Sequence, residues 1–313
     1  MLIFKNDSVA SVMVGDCLAS LATLPDLSIN CCVTSPPYYG LRDYGVVGQI
    51  GLEESPDSYI ARLVDVFREV RRVLRDDGTL WLNIGDSYAT GTTASRAQGK
   101  RGLGAATQKA QDSVPRIGNP DGCKTKDLIG IPWMLAFALR ADGWYLRQDI
   151  IWHKPNPMPE SVRDRCTKAH EYIFLLSKSD RYYFDSEAMK EPAVGSSGGA
   201  PLKARDSAYR PDKAKLTNNG LANGWEPSET RNRRSVWTVA TKPYKGAHFA
   251  TFPPGLIEPC ILAGCPSGGN VLDPFGGSGT TGGVALKNGR NAILCELNPE
   301  YAALMPDRIG AIL

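Results

Sequence analysis

Between Asn270 and Tyr301 the chain reads NVLDPFGGSGTTGGVALKNGRNAILCELNPEY. An apolar strand ends in Asp273, glycines follow at 276, 277 and 279, a helix begins, and a second strand ends in Glu296. Glycines let the backbone approach a ligand closely, and the start of a helix offers it free amide groups. In doubly wound α/β sheets an acid at the end of the next strand, about 20 residues on, grips a nucleotide ribose. Here 23 positions separate Asp273 from Glu296. GSGTTG from Gly277 to Gly282 also matches the dinucleotide fingerprint, so an NAD-dependent enzyme is one reading. The preceding Asp-Pro-Phe opposes it. A carboxylate there repels a pyrophosphate but suits the ammonium of a methionine-like tail, which favours S-adenosylmethionine.

The rest of the chain alternates in the same manner. Ser11–Val14 and Ile29–Val33 read as strands, Ser58–Arg75 as a helix with apolar residues at 60, 63, 64, 67, 70 and 74, and Thr79–Ile84 as a strand after an Asp76-Asp77-Gly78 turn. Periodicity fails from Ala89 to Asp127, which predicts a long loop. It returns with a helix at Pro132–Ala141 and strands at Trp144–Trp152 and Glu171–Ser177. Residues 186–234 are polar and rich in Gly, Pro and Arg, as in an inserted module. A helix near Leu256–Ala263 precedes the glycine segment, and a last helix starts at Pro299. This alternation predicts a mostly parallel sheet covered by helices.

Charge sharpens the picture. The net charge of the 313 residues is +3, yet residues 96–126 and 178–245 each carry a net +5, leaving −7 on the remainder. Two concentrated basic stretches suit a polyanionic partner. The eight cysteines form no CxxC pair, and Cys31, Cys32 and Cys295 lie in apolar runs, so buried thiols are expected and a zinc site is not. No apolar run reaches bilayer length and the amino terminus has no signal-peptide pattern, so no membrane partner and a cytoplasmic location are expected.

The second motif is VTSPPYYG at Val33–Gly40, directly after the INCC strand. Two prolines cannot continue a central strand, so they fix a stiff turn at its carboxyl end, the edge where open α/β sheets bind ligands. Such a turn presents carbonyl oxygens and the Ser35 hydroxyl, and Tyr38 supplies a flat face. Amine methylation of a base needs these groups. The exocyclic nitrogen is a poor nucleophile, and acceptors on its N–H bonds stabilise the positive charge that develops as the methyl arrives. Methyltransferases of this kind flip the base and hold it by stacking.

Together, VTSPPYYG and DPFGGSGTT resemble the amino-methylating (N6-adenine / N4-cytosine) DNA methyltransferases over nearly the whole chain. With the catalytic turn first and the cofactor loop last, the order is that of the circularly permuted β group. The resemblance implies a Rossmann-like S-adenosylmethionine-dependent α/β fold with an inserted target-recognition region. It divides the chain into 1–185 with the TSPPY turn and a DNA-proximal loop at 89–127, the insertion 186–234, and a cofactor-binding part at 235–313. It also implies a sheet that runs from the Glu296 strand to the Ser11–Val14 strand, and then to the strand ending in TSPPY.

By the same resemblance Ser35, Pro36, Pro37 and Tyr38 are catalytic. Asp16, Thr34, Asp273, Phe275, Gly276, Gly277, Gly279, Thr280, Glu296 and Asn298 contact the cofactor, with Asp16 at the adenine and Glu296 at the ribose. His170–Ser179 lines the base pocket, Lys242–Pro253 closes over the methionine end, and Arg205, Arg210, Arg231, Arg233 and Arg234 contact double-stranded DNA. Trp152 reads as packing, His153 as a surface residue and His170 as a hydrogen-bonded structural imidazole. Ser-Pro-Pro-Tyr is the family's usual mark of N4-cytosine. Serine and aspartate both accept an amine hydrogen, however, and TSPPYYGLRDYG-type cores resemble orphan and phage-borne methylases with adenine-specific members, so both bases stay open. Also open are a homodimer, a cognate restriction endonuclease, action on RNA or a protein amide, and non-catalytic DNA binding. A C5-cytosine enzyme is not expected, because no Pro-Cys turn lies beside TSPPY.

Overall fold

The computed structural model describes residues 1–90, 119–193, 229–241 and 252–313. Its centre is a nine-stranded sheet in the order β1-β2-β11-β10-β3-β4-β6-β5-β9. These strands are β1 (Leu2–Lys5), β2 (Ser8–Val14), β3 (Ile29–Thr34), β4 (Leu74–Ile84), β5 (Tyr145–His153), β6 (His170–Ser177), β9 (Val236–Thr238), β10 (Asn270–Asp273) and β11 (Asn291–Glu296). β1 and β6 run against the other seven. The sheet is mostly parallel, as the alternation predicts.

Successive strand residues face opposite layers. Cys32, Leu80 and Leu82 pack with α1 (Cys17–Ala22), α2 (Pro56–Val73) and α3 (Ile131–Ala141), whereas Cys31, Val33 and Trp81 pack with α4 (Pro254–Gly264), α5 (Thr280–Lys287) and α6 (Pro299–Ile312). Both faces of this central strand are covered, which is why Ile29, Cys31, Cys32 and Val33 form an apolar run broken only by the half-buried Asn30. Cys31, Cys32 and Cys295 are buried, and burial pushes the Cys295 thiol up to about 12. Among the described residues no helix is long and apolar enough to cross a membrane, and no cluster of His, Cys, Asp or Glu could hold a metal ion.

Three expectations need correction. The TSPPY strand does not lie beyond the Ser11–Val14 strand. β11 lies between β10 and β2, and β3 pairs with β10. The far edge of β2 is occupied by β1, which folds back through a turn with Asn6 at φ 51°. The β3–β10 pairing is anchored by Asn30 Oδ1, which accepts from the Asn270 N–H at 2.9 Å. Second, α2 stops at Val73, not Arg75. Leu74 already pairs with Ile29 and the 75–78 stretch bulges out before Thr79 meets Cys31. Third, β9 begins two residues after the expected insertion and adds a parallel strand to β5 that period-two reading of three residues cannot reveal.

The two loop regions close on themselves where they are described. Ala89 N–H donates to Asp127 O at 2.9 Å and Lys126 N–H to Ala89 O at 2.8 Å, which pinches the base of the long loop. β7 (Glu191–Pro192) pairs antiparallel with β8 (Thr230–Arg231) and forms a stem for the insertion. The glycine-rich turn after β10 leads through α5 to β11 on one side. α2 carries the chain from β3 to β4 on the other. The chain thus leaves β10 and β3 in opposite directions, and a crevice opens at their carboxyl ends.

Candidate active site

The two motifs meet in that crevice. Thr34, the last residue of β3, donates its hydroxyl to Asp273 Oδ1 at 2.6 Å across the strand pair. Asp273 Oδ1 also accepts from the Phe275 N–H at 3.0 Å, and Oδ2 from the Thr281 hydroxyl at 2.6 Å. At 1 % exposure, this carboxyl joins the proline turn, the glycine turn and the start of α5 into one unit. Burial pushes its pKa up, and the Thr281, Thr34 and Phe275 hydrogen bonds oppose that shift. Both oxygens of Asp273 thus accept hydrogen bonds from within the protein.

The glycine turn bends through Gly277 at φ 53° and Gly279 at φ 88°, left-handed conformations that a side chain disfavours. Gly276 N–H donates to Cys295 O at 2.7 Å and Gly277 N–H to Glu296 Oε2 at 2.8 Å, so the turn leans on the end of β11. Glu296 Oε1 accepts from the Asn298 N–H at 2.8 Å, while the Asn298 side chain caps α6 by accepting from Glu300 N–H. Burial drives the Glu296 carboxyl up to about 7, against the pull of the Asn298 and Gly277 amides. Ser278 Oγ and Thr280 Oγ1, where α5 begins, are buried and have no hydrogen-bond partner among the described residues.

Asp16 stands next to this group. Gly15 N–H donates to Glu296 O at 2.9 Å, and Asp16 caps α1 through the Ala19 N–H while keeping 40 % side-chain exposure, with Arg62 at 3.8 Å. Tyr44 and Tyr301 meet edge to face at 6.3 Å and lie close enough to Glu296 to feel its charge. Sequence reasoning did not single them out, although both lie in the motif stretches.

On the proline-turn side, the Tyr59 hydroxyl donates to Pro37 O at 2.8 Å and steadies the turn. Burial and the neighbouring Glu171 carboxylate push the Tyr38 phenol well up, opposed by the Ser35 hydroxyl. Ser35, Tyr38, Thr34, Asp273, Phe275, Gly276, Gly277, Thr280, Glu296 and Asp16 therefore share one edge of the sheet. Trp152 is buried with its indole N–H on Val239 O at 2.8 Å, and His153 Nδ1 lies 3.1 Å from the Thr238 hydroxyl, both structural placements. Burial lowers the His170 pKa, which keeps the imidazole neutral.

Arg231, Arg233 and Arg234 are engaged away from that edge. Arg231 pairs with Glu191 at 2.9 Å in the β7–β8 stem, Arg233 donates to Met189 O at 3.3 Å, and Arg234 O accepts from the Trp237 indole. Arg205, Arg210 and residues 242–251 lie outside the described residues.

Comparison with known proteins agrees with this geometry. The family model for N6/N4 DNA methylases matches residues 29–306. The Type II methyltransferase M.SmaI of Serratia marcescens is 50 % identical over 305 residues, covering 97 % of this chain and 92 % of that protein. M.Cfr9I of Citrobacter freundii is 49 % identical over 300 residues, covering 96 % and 87 %. Among solved structures, the cytosine-N4-specific PvuII DNA methyltransferase superposes with a TM-score of 0.62 at 19 % identity, covering 97 % of this chain and 90 % of that one. A putative DNA modification methylase from Thermus thermophilus, complexed with S-adenosyl-L-methionine, gives 0.58 at 24 % identity and covers 97 % and 95 %. Two turns locked at one crevice, a family match over most of the chain and half-identical relatives converge: this chain belongs to the N6/N4 DNA methylase family and is an S-adenosylmethionine-dependent DNA methyltransferase.

Proposed function

We propose that the enzyme methylates the exocyclic N4 of a cytosine extruded from duplex DNA, with Ser35–Tyr38 receiving the base and the glycine turn holding the cofactor. The observation that carries this reading is the Thr34–Asp273 hydrogen bond of 2.6 Å, which keeps the two turns at one crevice. Cytosine is supported by the serine that opens the turn and by the cytosine-N4 specificity named for the PvuII enzyme. Nucleoside mass spectrometry of duplex DNA treated with the purified protein and S-adenosylmethionine is expected to find N4-methylcytosine. N6-methyladenine would overturn the choice of base.

The cofactor fits the residues at hand. Two buried hydroxyls without a partner among the described residues, Ser278 Oγ and Thr280 Oγ1, and the first amides of α5 suit the carboxylate of an amino-acid tail. Glu296 accepts the ribose hydroxyls, and the half-exposed Asp16 accepts from the adenine amine. When bound, the cofactor supplies a methyl on a sulfonium, an electrophile that requires neither a metal nor a covalent nucleophile. The carbonyls of the proline turn and the Ser35 hydroxyl then accept the amine hydrogens, orient the nitrogen lone pair and stabilise its developing charge. Tyr38 offers its ring face to the base.

Glu296 makes cofactor binding pH-dependent. Its carboxyl titrates near 7 in the free protein against an ordinary value of 4.5, so the proton-linked stability of the free fold is lost as pH rises from about 4.5 to 7. The ionised form is the better acceptor, so affinity for S-adenosylmethionine falls as pH drops below about 7. Glu296→Ala abolishes this dependence and weakens binding by about 1–3 kcal/mol. Calorimetry across pH 5.5–8.5 checks both, and an unchanged dissociation constant in the variant removes Glu296 from the site.

The Type II names of the relatives support a role as the modification half of a restriction–modification pair. A DNA substrate and relatives of bacterial source support a cytoplasmic location.

A further inference from the structure

Behind Tyr38 lies a set of side chains that neither motif contains. The Tyr38 hydroxyl donates to Glu171 Oε2 at 2.7 Å and has Asn83 Oδ1 at 3.3 Å. Asn83 is itself fixed, because its amide nitrogen donates to Tyr172 O at 3.1 Å and so turns its oxygen toward the phenol. The second oxygen of Glu171 accepts from the Lys154 ammonium, which lies 4.3 Å from the Trp152 ring centroid. Glu171 and Lys154 are 15 % and 18 % exposed. The ring flank is held as well. A Cβ built on Gly85 would fall 2.6 Å from Tyr38 Cε2, so only a glycine leaves room for the ring there.

A stacking platform needs a ring face and no hydroxyl, and a buried tyrosine needs only one acceptor. Tyr38 has instead a carboxylate held by a nearly buried ammonium, with Asn83, Glu171 and Lys154 brought by the three neighbouring strands β4, β6 and β5. Burying an ion pair is costly, and its return here is orientation: each partner fixes the next, ending at the phenol.

We propose that Glu171, with Lys154 as its counter-ion, is a positioning residue that fixes the Tyr38 ring in the plane in which the extruded base stacks. The inference rests on Tyr38 being the stacking residue. Lys154 holds Glu171 in an ion pair, hydrogen bonds to a charged acceptor are the stronger kind, and the phenol that donates to Glu171 cannot swing.

The test is a double-mutant cycle on the full-length protein, with single-turnover methylation of unmodified duplex DNA and calorimetric S-adenosylmethionine binding as readouts. Glu171→Gln offers one acceptor oxygen where two are in use, so either the phenol or Lys154 loses its partner. Turnover is expected to fall about tenfold in Glu171→Gln and in Tyr38→Phe, and no further in the double variant, because both remove the same charged hydrogen bond. Cofactor affinity should not change. Lys154→Met keeps the aliphatic stem on Trp152 and is expected to slow turnover as well, which provides a second variant that folds without Glu171 being altered. Multiplying effects in the cycle, or wild-type turnover in Glu171→Gln or Lys154→Met, would overturn the proposal. Tyr38→Ala in the same assay separates the two levels. If it turns over normally, the stacking role falls and this inference with it. If it is slow while the cycle is additive, only the positioning role is lost.

Discussion

Tyr38→Ala retains its cofactor and loses most of its turnover. A base stacked on an aromatic face gains about 1–3 kcal/mol, so removal of the ring is expected to slow the chemical step by roughly 5- to 150-fold. The effect falls on turnover and not on cofactor affinity, because the residues proposed to hold the cofactor belong to the glycine turn, to β11 and to Asp16, and the Thr34–Asp273 link between the two turns lies ahead of the ring. Single-turnover rates beside calorimetric dissociation constants measure the split. Unchanged turnover would remove Tyr38 from base recognition, and a loss confined to cofactor binding would move it to the other half of the site.

Asp273→Ala acts on the fold itself. Three donors, the Thr34 and Thr281 hydroxyls and the Phe275 amide, lose their acceptor at a position only 1 % exposed. Each stranded donor costs about 1–3 kcal/mol, and relief from burying a carboxylate whose pKa is already pushed up offsets part of the sum. A net loss of about 3 kcal/mol is expected in urea unfolding. Asp273→Asn keeps one carbonyl acceptor and the shape, and Thr281 can rotate its hydroxyl to accept from the new amide, so that variant should lose about half as much. Equal losses in both would show that charge, and not the shared acceptor, holds the turns together. Turnover should fall in both variants, because the proline turn is no longer referenced to the glycine turn.

What could be read ahead of the structure was whatever the backbone dictates locally. DPFGGSGTT and TSPPYYG are legible because glycine and proline shape φ and ψ within a few residues, and INCCV because a strand covered on both faces is mostly apolar, here with Asn30 as its one polar residue. β1 was missed, although its Asn6-Asp7 turn is a sequence signal, because four residues give too little periodicity. The helix boundary at Val73 was set by the pairing of Leu74 with Ile29, a contact across 45 positions that no local pattern carries.

By itself, the sequence determined the chemistry of the two turns and the fold class, since both depend on residue type and near-neighbour spacing. Tertiary structure alone decided that β3 pairs with β10 rather than flanking β2, and that Asp273 spends its carboxylate on the protein. It alone brought Asn83, Lys154 and Glu171 behind Tyr38. Each of these is a contact between strands remote in the chain, settled by which sheet edge is already occupied and which buried donor still lacks an acceptor.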